Sequence, residues 1–493
     1  MKTDKASIRR LATGVSGLDL VLGGGLPEFS FNLIAGAPGT GKTTLAHQIM
    51  FALATAAHPA LYFTVLGEPA IKMLRYQQQF SFFDSARINE SVRFINLADE
   101  AAAGDLQRVL SRIAEAVVEH RPSFVFVDSF RSVVVASKGP GGDALSLQQF
   151  VQQLGMMMTG WQATTFLIGE YTSQSDADAV FTVADGLIWL RQSEQRNSVV
   201  RKMEVSKMRG QHTLAGLHTF RMDADGLHVF APMQVPRADA ERQSPLDHRV
   251  AMGVPGLDQM MGGGLPGGYS LLVAGPSGSG KSILAAQFLV EGARLGQTGI
   301  IAAFEQRPTL SRGRALAVLI AAGRVKVIDT RSDALSVDEI ALLLVAEVER
   351  SKATRLVIDS LSGFELALAP TFRDDYRESL SRLVSALAAT GVTVLMTSEL
   401  EDRYDDLRFS PYGTAFLTDA IIVQRYVEID GHLLRAMAVV KVRASAHSSA
   451  LHRFHIDDEG LRLDEPLTAY EGLLGGRPAL RARPVASSRP GDR

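Results

Sequence analysis

The chain has 493 residues, of which 46% are apolar and 21% charged, with a formal net charge of −2 and no cysteine. Its length exceeds the size at which one hydrophobic core keeps growing and predicts two globular domains of about 200 residues each. The composition excludes a disulfide framework and a thiolate metal site, argues against nucleic acid as the partner of the whole molecule, and favours a cytoplasmic protein without a membrane span.

The first glycine-rich segment lies directly after a predicted strand at residues 31–35. Its sequence, GAPGTGKTT, fits the pattern GxxxxGK[ST] and precedes a predicted helix, which is the setting of a phosphate-binding P-loop. Glycines let successive backbone N–H groups face phosphates, and the helix start adds the positive end of its dipole. We expect the lysine to contact the β- and γ-phosphates of ATP and the next hydroxyl to bind Mg²⁺. The predicted nucleotide-binding residues are Gly36, Gly39, Thr40, Gly41, Lys42, Thr43 and Thr44.

Short apolar runs alternate with helical patterns through both halves of the chain. They lie at 31–35, 61–65, 124–127 and 164–168, and again at 271–274, 299–304, 355–358 and 393–396. Buried strands separated by helices predict an α/β fold in which each domain has a mainly parallel sheet flanked by helices.

Acidic residues end two pairs of these runs. Asp128 and Asp359 follow the runs at 124–127 and 355–358, where a carboxylate can orient Mg²⁺ and its waters. An alternative role for each aspartate is to cap the following helix. Glu170 and Glu399 end later strands, where they either sense the phosphate state or form ordinary hydrogen bonds.

The chain repeats itself at a constant offset. The sequence GVSGLD at 14–19 returns as GVPGLD at 253–258, and Lys281 follows Lys42 by the same 239 residues. Two P-loops at one register, each after a predicted strand, make a chance match negligible. The second set of nucleotide-binding residues is Gly275, Ser277, Gly278, Ser279, Gly280, Lys281 and Ser282. The predicted metal-binding residues are Thr43, Ser282, Asp128 and Asp359.

A polar stretch with three prolines at 231–245 marks the boundary between the copies. We predict an ATP-binding domain at 1–232, a linker at 233–247, a second ATPase domain at 248–475 and a flexible basic tail at 476–493.

The combined motifs resemble the KaiC family of double-domain RecA-superfamily ATPases over residues 13–478. The marks are the GLD and GGGLP lead-in, both P-loops, both Asp-Ser strand ends, and the segments KMRGQH at 207–212 and KVRASAH at 441–447. The resemblance implies tandem RecA-like domains and a homo-hexameric ring that uses ATP and Mg²⁺.

The resemblance also implies that the Lys-x-Arg segments act in trans on the nucleotide of a neighbouring copy. Cations aimed at a γ-phosphate stabilise transition-state charge. The alternative is an exposed basic edge strand that opposes aggregation. The implied trans-acting residues are Lys207, Arg209, His212, Lys441, Arg443 and His447.

The two halves differ at the catalytic carboxylates that the family carries after the P-loop helix. Glu305 lies 24 residues after Lys281, whereas the matched position of the first half is Leu66, with Glu68 two residues further on. A leucine cannot polarise water. We therefore expect hydrolysis in the second domain and slow or absent hydrolysis in the first, with Glu305 and Glu68 as the catalytic candidates.

The family's autophosphorylated Ser-Thr pair aligns with Ala415-Phe416, which has no hydroxyl, and Thr414 and Thr418 flank it. The preferred hypothesis is an ATP-hydrolysing ring with a regulatory or signalling role. Its alternatives are a serine/threonine autokinase using other hydroxyls and a RecA-type DNA-dependent ATPase. A further hypothesis is a nucleotide-gated scaffold read by a partner such as a sensor kinase or a KaiB-like protein.

Overall fold

Each half of the chain is built around one nine-stranded sheet in the computed structural model. The structure describes residues 8–65, 70–102, 106–130, 144–172, 179–195, 198–232, 248–304, 314–329, 336–367, 376–400, 417–473 and 479–480. The chain divides into two compact units, Met1–Pro232 and Met233–Arg493.

The first sheet has six parallel strands and an antiparallel wing of three. A lead-in pair, β1 Arg10–Leu11 and β2 Leu26–Pro27, precedes it. The sheet strands are β3 Phe31–Gly36, β4 Ala60–Thr64, β5 Val92–Asn96, β6 Phe124–Asp128, β7 Thr164–Glu170, β8 Gly186–Gln195, β9 Ser198–Met208, β10 Leu217–Asp223 and β11 Gly226–Phe230. Their spatial order is β11-β10-β9-β8-β3-β7-β6-β4-β5, with the parallel part running from β8 to β5.

The second sheet repeats this plan. Its lead-in pair is β12 Arg249–Val250 and β13 Leu265–Pro266. The sheet strands are β14 Ser270–Gly275, β15 Gly299–Ala303, β16 Val325–Asp329, β17 Arg355–Asp359, β18 Thr393–Glu399, β19 Ala420–Ile429, β20 His432–Val442, β21 His452–Asp457 and β22 Gly460–Pro466. Their order is β16-β15-β17-β18-β14-β19-β20-β21-β22, so the P-loop strand β14 again lies centrally.

Helices flank both sheets. Those of the first unit are α1 Leu18–Leu22, α2 Lys42–Leu53, α3 Ala70–Gln77, α4 Ala98–Ala102, α5 Leu106–His120, α6 Ala144–Gly160 and α7 Ala179–Val183, with a 3₁₀ turn at Ser85–Arg87. Those of the second unit are α8 Pro255–Met260, α9 Lys281–Arg294, α10 Arg314–Ala321, α11 Val337–Ser351, α12 Leu361–Ala367 and α13 Tyr376–Ala389. Among the described helices, none is long and apolar enough to span a bilayer.

The parallel strands are buried on both faces, which explains their unbroken apolar sequences. In β3, Leu33 belongs to the core cluster that contains α5 and α6, while Ile34 belongs to the cluster that contains α2. Leu272 and Val273 of β14 divide between two clusters in the same way. The predicted α/β fold, with a mainly parallel sheet flanked by helices in each domain, is confirmed.

The repeated GLD lead-in has a structural role. Asp19 accepts hydrogen bonds from the backbone N–H of Thr13 at 2.9 Å and from its hydroxyl at 2.7 Å. Asp258 accepts from the backbone N–H of Met252 at 2.6 Å. Gly17 has φ 76°, and a Cβ there would lie 1.9 Å from the carbonyl oxygen of Val229. The aspartate hydrogen bonds close each lead-in on itself, and the missing Cβ of Gly17 lets the first lead-in approach β11.

The predicted linker at 233–247 lies outside the described residues. Within the tail predicted to be flexible, Ala479–Leu480 forms β24, which pairs with β23 Tyr470–Glu471. The flexibility of the tail at 476–493 stays a prediction.

Candidate functional site

The first P-loop joins the carboxyl end of β3 to the first turn of α2. Gly39 and Gly41 have φ values of 77° and 98°, which side-chain-bearing residues rarely adopt. The Nζ of Lys42 donates to the carbonyl oxygen of Ala37 at 2.8 Å, so the lysine folds back over the loop. Thr40 also donates to that carbonyl, at 2.8 Å. The Thr40 side chain thus holds the loop itself, and the backbone N–H of Thr40 donates to the same carbonyl oxygen at 3.4 Å.

The carboxylate of Asp128 lies beside the start of α2, at the end of β6. Its Oδ2 accepts hydrogen bonds from the hydroxyls of Thr43 at 2.7 Å and Tyr62 at 2.8 Å. Burial raises the pKa of Asp128, and the two hydrogen bonds and the charge of Lys42 oppose that rise. Burial lowers the pKa of Lys42, while the charges of Glu170 and Asp128 oppose that change. The site therefore brings together a lysine, a hydroxyl and a carboxylate at the positions that the sequence predicts.

These groups line a cavity of about 340 Å³. Its lining residues are Gly39, Gly41, Lys42, Thr43, Thr44, Asp128, Ser129, Glu170 and Met222. Loop N–H groups and a lysine suit an anionic polyphosphate, and hydroxyl and carboxylate oxygens suit Mg²⁺. The residues present fit both ATP and Mg²⁺.

The second P-loop has the same design. The Nζ of Lys281 donates to the carbonyl oxygens of Gly275 at 2.9 Å and Pro276 at 2.7 Å. Gly278 and Gly280 have φ values of 74° and 105°. Ser279 links the loop to β19, because its buried hydroxyl donates to the side-chain oxygen of Gln424 at 3.0 Å.

The remaining predicted residues of the second loop are placed as follows. Ser282 lies in the first turn of α9 and is partly buried, and Asp359 ends β17. The Asp359 carboxylate accepts a hydrogen bond from the Thr397 hydroxyl. The carbonyl oxygen of Ser277 accepts from the hydroxyl of Tyr426 at 3.4 Å. In both units the peptide bond between the strand-end aspartate and the following serine is cis.

The glutamates predicted at the ends of later strands lie beside the P-loops. Glu170 is the register partner of Gly36, and Glu399 is the register partner of Gly275. Both glutamates are exposed. Their carboxylates are thus at the edge of each sheet where a γ-phosphate would lie.

The Lys-x-Arg segments end strands of the antiparallel wings. Lys207 Nζ donates to the carbonyl oxygens of Phe181 at 3.3 Å and Thr182 at 3.2 Å, and Arg209 pairs with Asp185 at 3.0 Å. Burial and the charge of Arg209 lower the pKa of Lys207.

The second unit repeats this anchor. Lys441 Nζ donates to the carbonyl oxygen of Thr418 at 2.6 Å, and Arg443 pairs with Asp419 at 3.1 Å. Burial and the charge of Arg443 lower the pKa of Lys441. In each unit, therefore, one cation is tied to backbone carbonyls and the other to an aspartate.

The strand register places these cations at the amino edge of the sheet, whereas the P-loop of the same unit lies at the carboxyl edge. Met208 pairs with Gly186, which pairs with Asn32 near the amino end of β3, whereas the P-loop begins at Gly36. Four residues of strand span roughly 13 Å. In the second unit Val442 pairs with Ala420, at the amino edge of its sheet. Each Lys-x-Arg segment therefore lies across the sheet from the P-loop of its own unit.

The two predicted histidines differ in exposure. His212 is exposed, and its carbonyl oxygen lies 2.1 Å from where a Cβ on Gly23 would be. His447 is partly buried, with Nδ1 3.4 Å from the carbonyl oxygen of Ser445. Both follow the cations by a few residues, outside the wing strands.

Several predicted residues lie outside the described residues. These are Glu68, Glu305, Leu66, Thr414 and the pair Ala415-Phe416. Thr418 is described and is only 1% exposed.

Tyr62, Thr397 and Met222 are among the site residues that were not predicted from the sequence. Tyr62 and Thr397 donate to the strand-end aspartates, and Met222 reaches the cavity from β10. Tyr62 and Thr397 each show in the sequence as a hydroxyl-bearing residue in or next to an apolar run, but that signal does not identify the aspartate they contact. Met222 gave no sequence signal, because only the folding of the wing brings it to the P-loop.

Comparisons with known proteins give one consistent result. The family model described as "ATPase: KaiC" matches residues 11–234 and again residues 250–468. The circadian clock oscillator protein KaiC of Rippkaea orientalis is 27% identical over 485 residues, which cover 96% of this chain and 92% of the relative. KaiC of Prochlorococcus marinus is 26% identical over 96% of this chain and 95% of its own length, and KaiC 1 of Synechocystis sp. is 26% identical over 96% and 92%.

The family match covers each unit from its lead-in to its antiparallel wing, and it therefore includes both P-loops and both Lys-x-Arg segments. Two nine-stranded, mainly parallel sheets with helices on both faces are the architecture expected of tandem RecA-like domains. The chain belongs to the KaiC family of ATPases.

Proposed function

We propose that this chain binds Mg²⁺-ATP at both P-loops and works as a cytoplasmic, ring-forming ATPase in which each nucleotide lies between neighbouring copies. The observation that carries the proposal is the position of the Lys-x-Arg segments at the amino edge of each sheet, opposite the P-loop of the same unit. Cations at that edge serve a nucleotide bound by another copy. A closed homo-hexamer is the assembly that the family resemblance implies.

The residues of the first P-loop would hold the nucleotide by its phosphates. Lys42 would exchange its carbonyl partner for the β- and γ-phosphates, and the loop N–H groups would surround them. Thr43 and Asp128 would hold the metal. Bound Mg²⁺ would bridge phosphate oxygens and neutralise their charge. In the second unit Lys281, Ser282 and Asp359 would take the same parts.

The trans-acting cations would complete the site from the neighbouring copy. Arg209 and Arg443 are half-exposed, so their guanidinium groups can turn toward an incoming phosphate. Lys207 and Lys441 are held closer to the protein by carbonyl oxygens. Such cations stabilise the charge that develops on the γ-phosphate. His212 and His447 would lie at the same seam.

Hydrolysis is proposed to reside mainly in the second unit. Glu305 is the carboxylate proposed to polarise the attacking water, and Glu68 is its displaced counterpart in the first unit. ATP that stays bound in the first unit would stabilise the ring.

A regulatory role is proposed from the curated relatives, which are named as circadian clock oscillator proteins. The nucleotide-dependent state of the ring would be read by a partner protein, such as a sensor kinase or a KaiB-like protein. Thr418 is buried, and a hydroxyl at that depth could accept phosphate only after local opening of the structure. Autophosphorylation is therefore not included in the proposed activity.

The proposal is tested by measuring nucleotide binding and particle mass for Lys42→Ala, Lys281→Ala and the double variant. Each single variant should lose about half of the bound ATP, and the double variant should bind none and fail to form the ATP-dependent particle. Unchanged ATP binding and unchanged mass in the double variant would refute the proposal.

The division of labour is tested by ATP hydrolysis in Glu305→Gln and Glu68→Gln. We expect Glu305→Gln to lower the rate of the full-length chain at least about 100-fold, because a general base contributes about 10² to 10⁴ to catalysis. Glu68→Gln should change the rate much less. Equal losses in both variants would contradict the division.

A further inference from the structure

The two units hold their strand-end aspartates from opposite sides. In the first unit the Tyr62 hydroxyl on β4 donates to Asp128 Oδ2 at 2.8 Å. In the second unit the donor to Asp359 is the Thr397 hydroxyl, which lies on β18. The strands β4 and β18 flank the aspartate-bearing strands of their sheets on different sides.

The register shows which residue of the second unit corresponds to Tyr62. Thr64 pairs with Asp128 and Ala303 pairs with Asp359. Tyr62 lies two residues before Thr64, and Ile301 lies two residues before Ala303. An isoleucine in the second unit therefore occupies the place of the tyrosine, and it has no hydroxyl to donate.

On the other flanking strand the hydroxyl is present in the second unit and absent from the first. Ile168 pairs with Ile34 in the first unit, and Thr397 pairs with Val273 in the second. Ile34 and Val273 are separated by the 239-residue repeat. An isoleucine in the first unit therefore takes the place of the threonine that donates in the second. At these two matched positions each unit has one hydroxyl-bearing residue and one isoleucine, in exchanged places.

The Tyr62 ring is fixed by its surroundings. It is fully buried, stacks on Phe126 with ring centres 5.9 Å apart, and meets the ring of His47 edge-on at 4.6 Å. The matched residues of the second unit are Val357 and Ala286, which bear no rings. The first unit thus contains an aromatic cluster that directs the Tyr62 hydroxyl to the carboxylate of Asp128.

The charges agree with a permanent donor. Burial and the neighbouring Asp128 raise the pKa of Tyr62 well above its usual value, so the phenol keeps its proton. Two hydroxyls then converge on Oδ2 of Asp128, which fixes the rotation of the carboxylate. Groups that hydrogen-bond to a metal-binding carboxylate orient it and tune its affinity.

We propose that Tyr62 is a positioning residue, which orients Asp128 for the metal of the first nucleotide site. It takes the part that Thr397 has in the second unit, where the first unit has Ile168 instead of a threonine. The inference rests on the proposed binding of Mg²⁺-ATP by the first unit. The two nucleotide sites thus use hydrogen-bond donors on different flanking strands for their equivalent aspartates.

The test uses the full-length chain with Lys281→Ala, so that binding reports the first site. A fluorescent ATP analogue is titrated with and without Mg²⁺ in this parent and in the parent carrying Tyr62→Phe, which keeps the ring. We expect the half-saturating Mg²⁺ concentration to rise about 10-fold. Binding of the analogue in EDTA should stay unchanged, because the phenol does not face the phosphates.

Two further variants in this parent separate positioning from simple destabilisation. Adding Ile168→Thr to Tyr62→Phe supplies a donor on the other flanking strand and should restore most of the Mg²⁺ affinity. Tyr376→Phe removes a buried phenol hydrogen bond of 3.0 Å to Leu361 in the second unit, and it should leave the titration unchanged.

The outcomes distinguish the inference from the proposed function. A half-saturating Mg²⁺ concentration within twofold of the parent in Tyr62→Phe, an equal loss of binding with and without Mg²⁺, or failure of Ile168→Thr to restore affinity would overturn the inference alone. Absence of Mg²⁺-dependent binding in the Lys281→Ala parent itself would overturn the proposed function of the first site as well.

Discussion

Asp128, the proposed metal ligand of the first unit, is buried. Burial raises its pKa, and the hydrogen bonds from Thr43 and Tyr62 and the charge of Lys42 act against that rise. A carboxyl with a raised pKa keeps its proton to a higher pH than an ordinary aspartate. Protons would therefore compete with Mg²⁺ for this group at a higher pH than they would at an ordinary aspartate.

This competition predicts how binding at the first site depends on pH. As the pH falls, Mg²⁺-dependent ATP binding in the Lys281→Ala protein should be lost at a higher pH than the ordinary pKa of an aspartate would give. The measurement is a series of Mg²⁺ titrations at decreasing pH, with EDTA as the control. A midpoint at or below the ordinary aspartate pKa would contradict the account.

His47 is a second buried titratable residue of the first unit. Burial lowers its pKa from 6.5 to about 4, so the folded protein holds it neutral. The unfolded chain protonates it below pH 6.5, which means that its contribution to stability is complete above that pH and is lost as the pH falls toward 4. The loss amounts to about 3 kcal/mol.

The corresponding prediction compares the wild type with His47→Leu. Between pH 6.5 and pH 4 the free energy of unfolding of the first unit should fall less steeply in the variant, by about 3 kcal/mol over the range. Chemical denaturation at several pH values measures it. Parallel pH profiles for the two proteins would show that His47 is not the group responsible.

At the scale of elements, the antiparallel wing sets the distance between the Lys-x-Arg segment and the P-loop of the same unit. It carries Lys207 and Arg209 to the amino edge of the sheet, while the P-loop lies at the carboxyl edge. Asp185 anchors the arginine and also accepts from the backbone N–H of Phe31 at 3.1 Å. Asp185 therefore links Arg209 to β3, the strand that leads into the P-loop.

The matched anchor in the second unit gives an element-scale prediction. Asp419→Asn keeps an oxygen for the backbone N–H of Ser270, at 3.0 Å, but removes the ion pair with Arg443. Because Asp419 is buried and also accepts from the Ser270 hydroxyl, the loss in stability should be about 1 to 3 kcal/mol. ATP hydrolysis should still fall several-fold, since the cation is no longer held in place. A large loss of stability without loss of rate would contradict the anchoring role.

The parallel part of each sheet was predictable from the sequence, and the wing was not. The apolar runs at 124–127 and 355–358 are the strands β6 and β17 almost to the residue, because strands buried on both faces have unbroken apolar sequences. The wing strands contain many polar residues and pair through long hairpins, whose register depends on non-local contacts.

The site was predictable to a similar extent. The P-loops and strand-end aspartates follow from local spacing, because a loop, a helix start and a strand end are near neighbours in sequence. The partner of Asp128 was not predictable, since Tyr62 lies 66 residues away and only the strand order makes β4 a neighbour of β6. The trans role of Lys207 and Arg209 is implied by the family resemblance and stays a proposal, which their place in the sheet register supports.

At the scale of the whole molecule, the account depends on neighbouring copies completing each other's sites. An intact P-loop and an intact Lys-x-Arg segment need not belong to the same chain. Two inactive variants, one defective in Lys281 and one in Arg443, could then form active sites together. A site completed within one chain could not be rescued in this way.

The most direct test mixes Lys281→Ala and Arg443→Ala proteins, lets them exchange subunits, and measures ATP hydrolysis. Each variant alone should be nearly inactive. With random assembly at equal amounts, about one quarter of the seams join an intact P-loop to an intact arginine, so the mixture should recover about one quarter of the wild-type rate. A mixture no more active than the average of its two components would contradict the central claim.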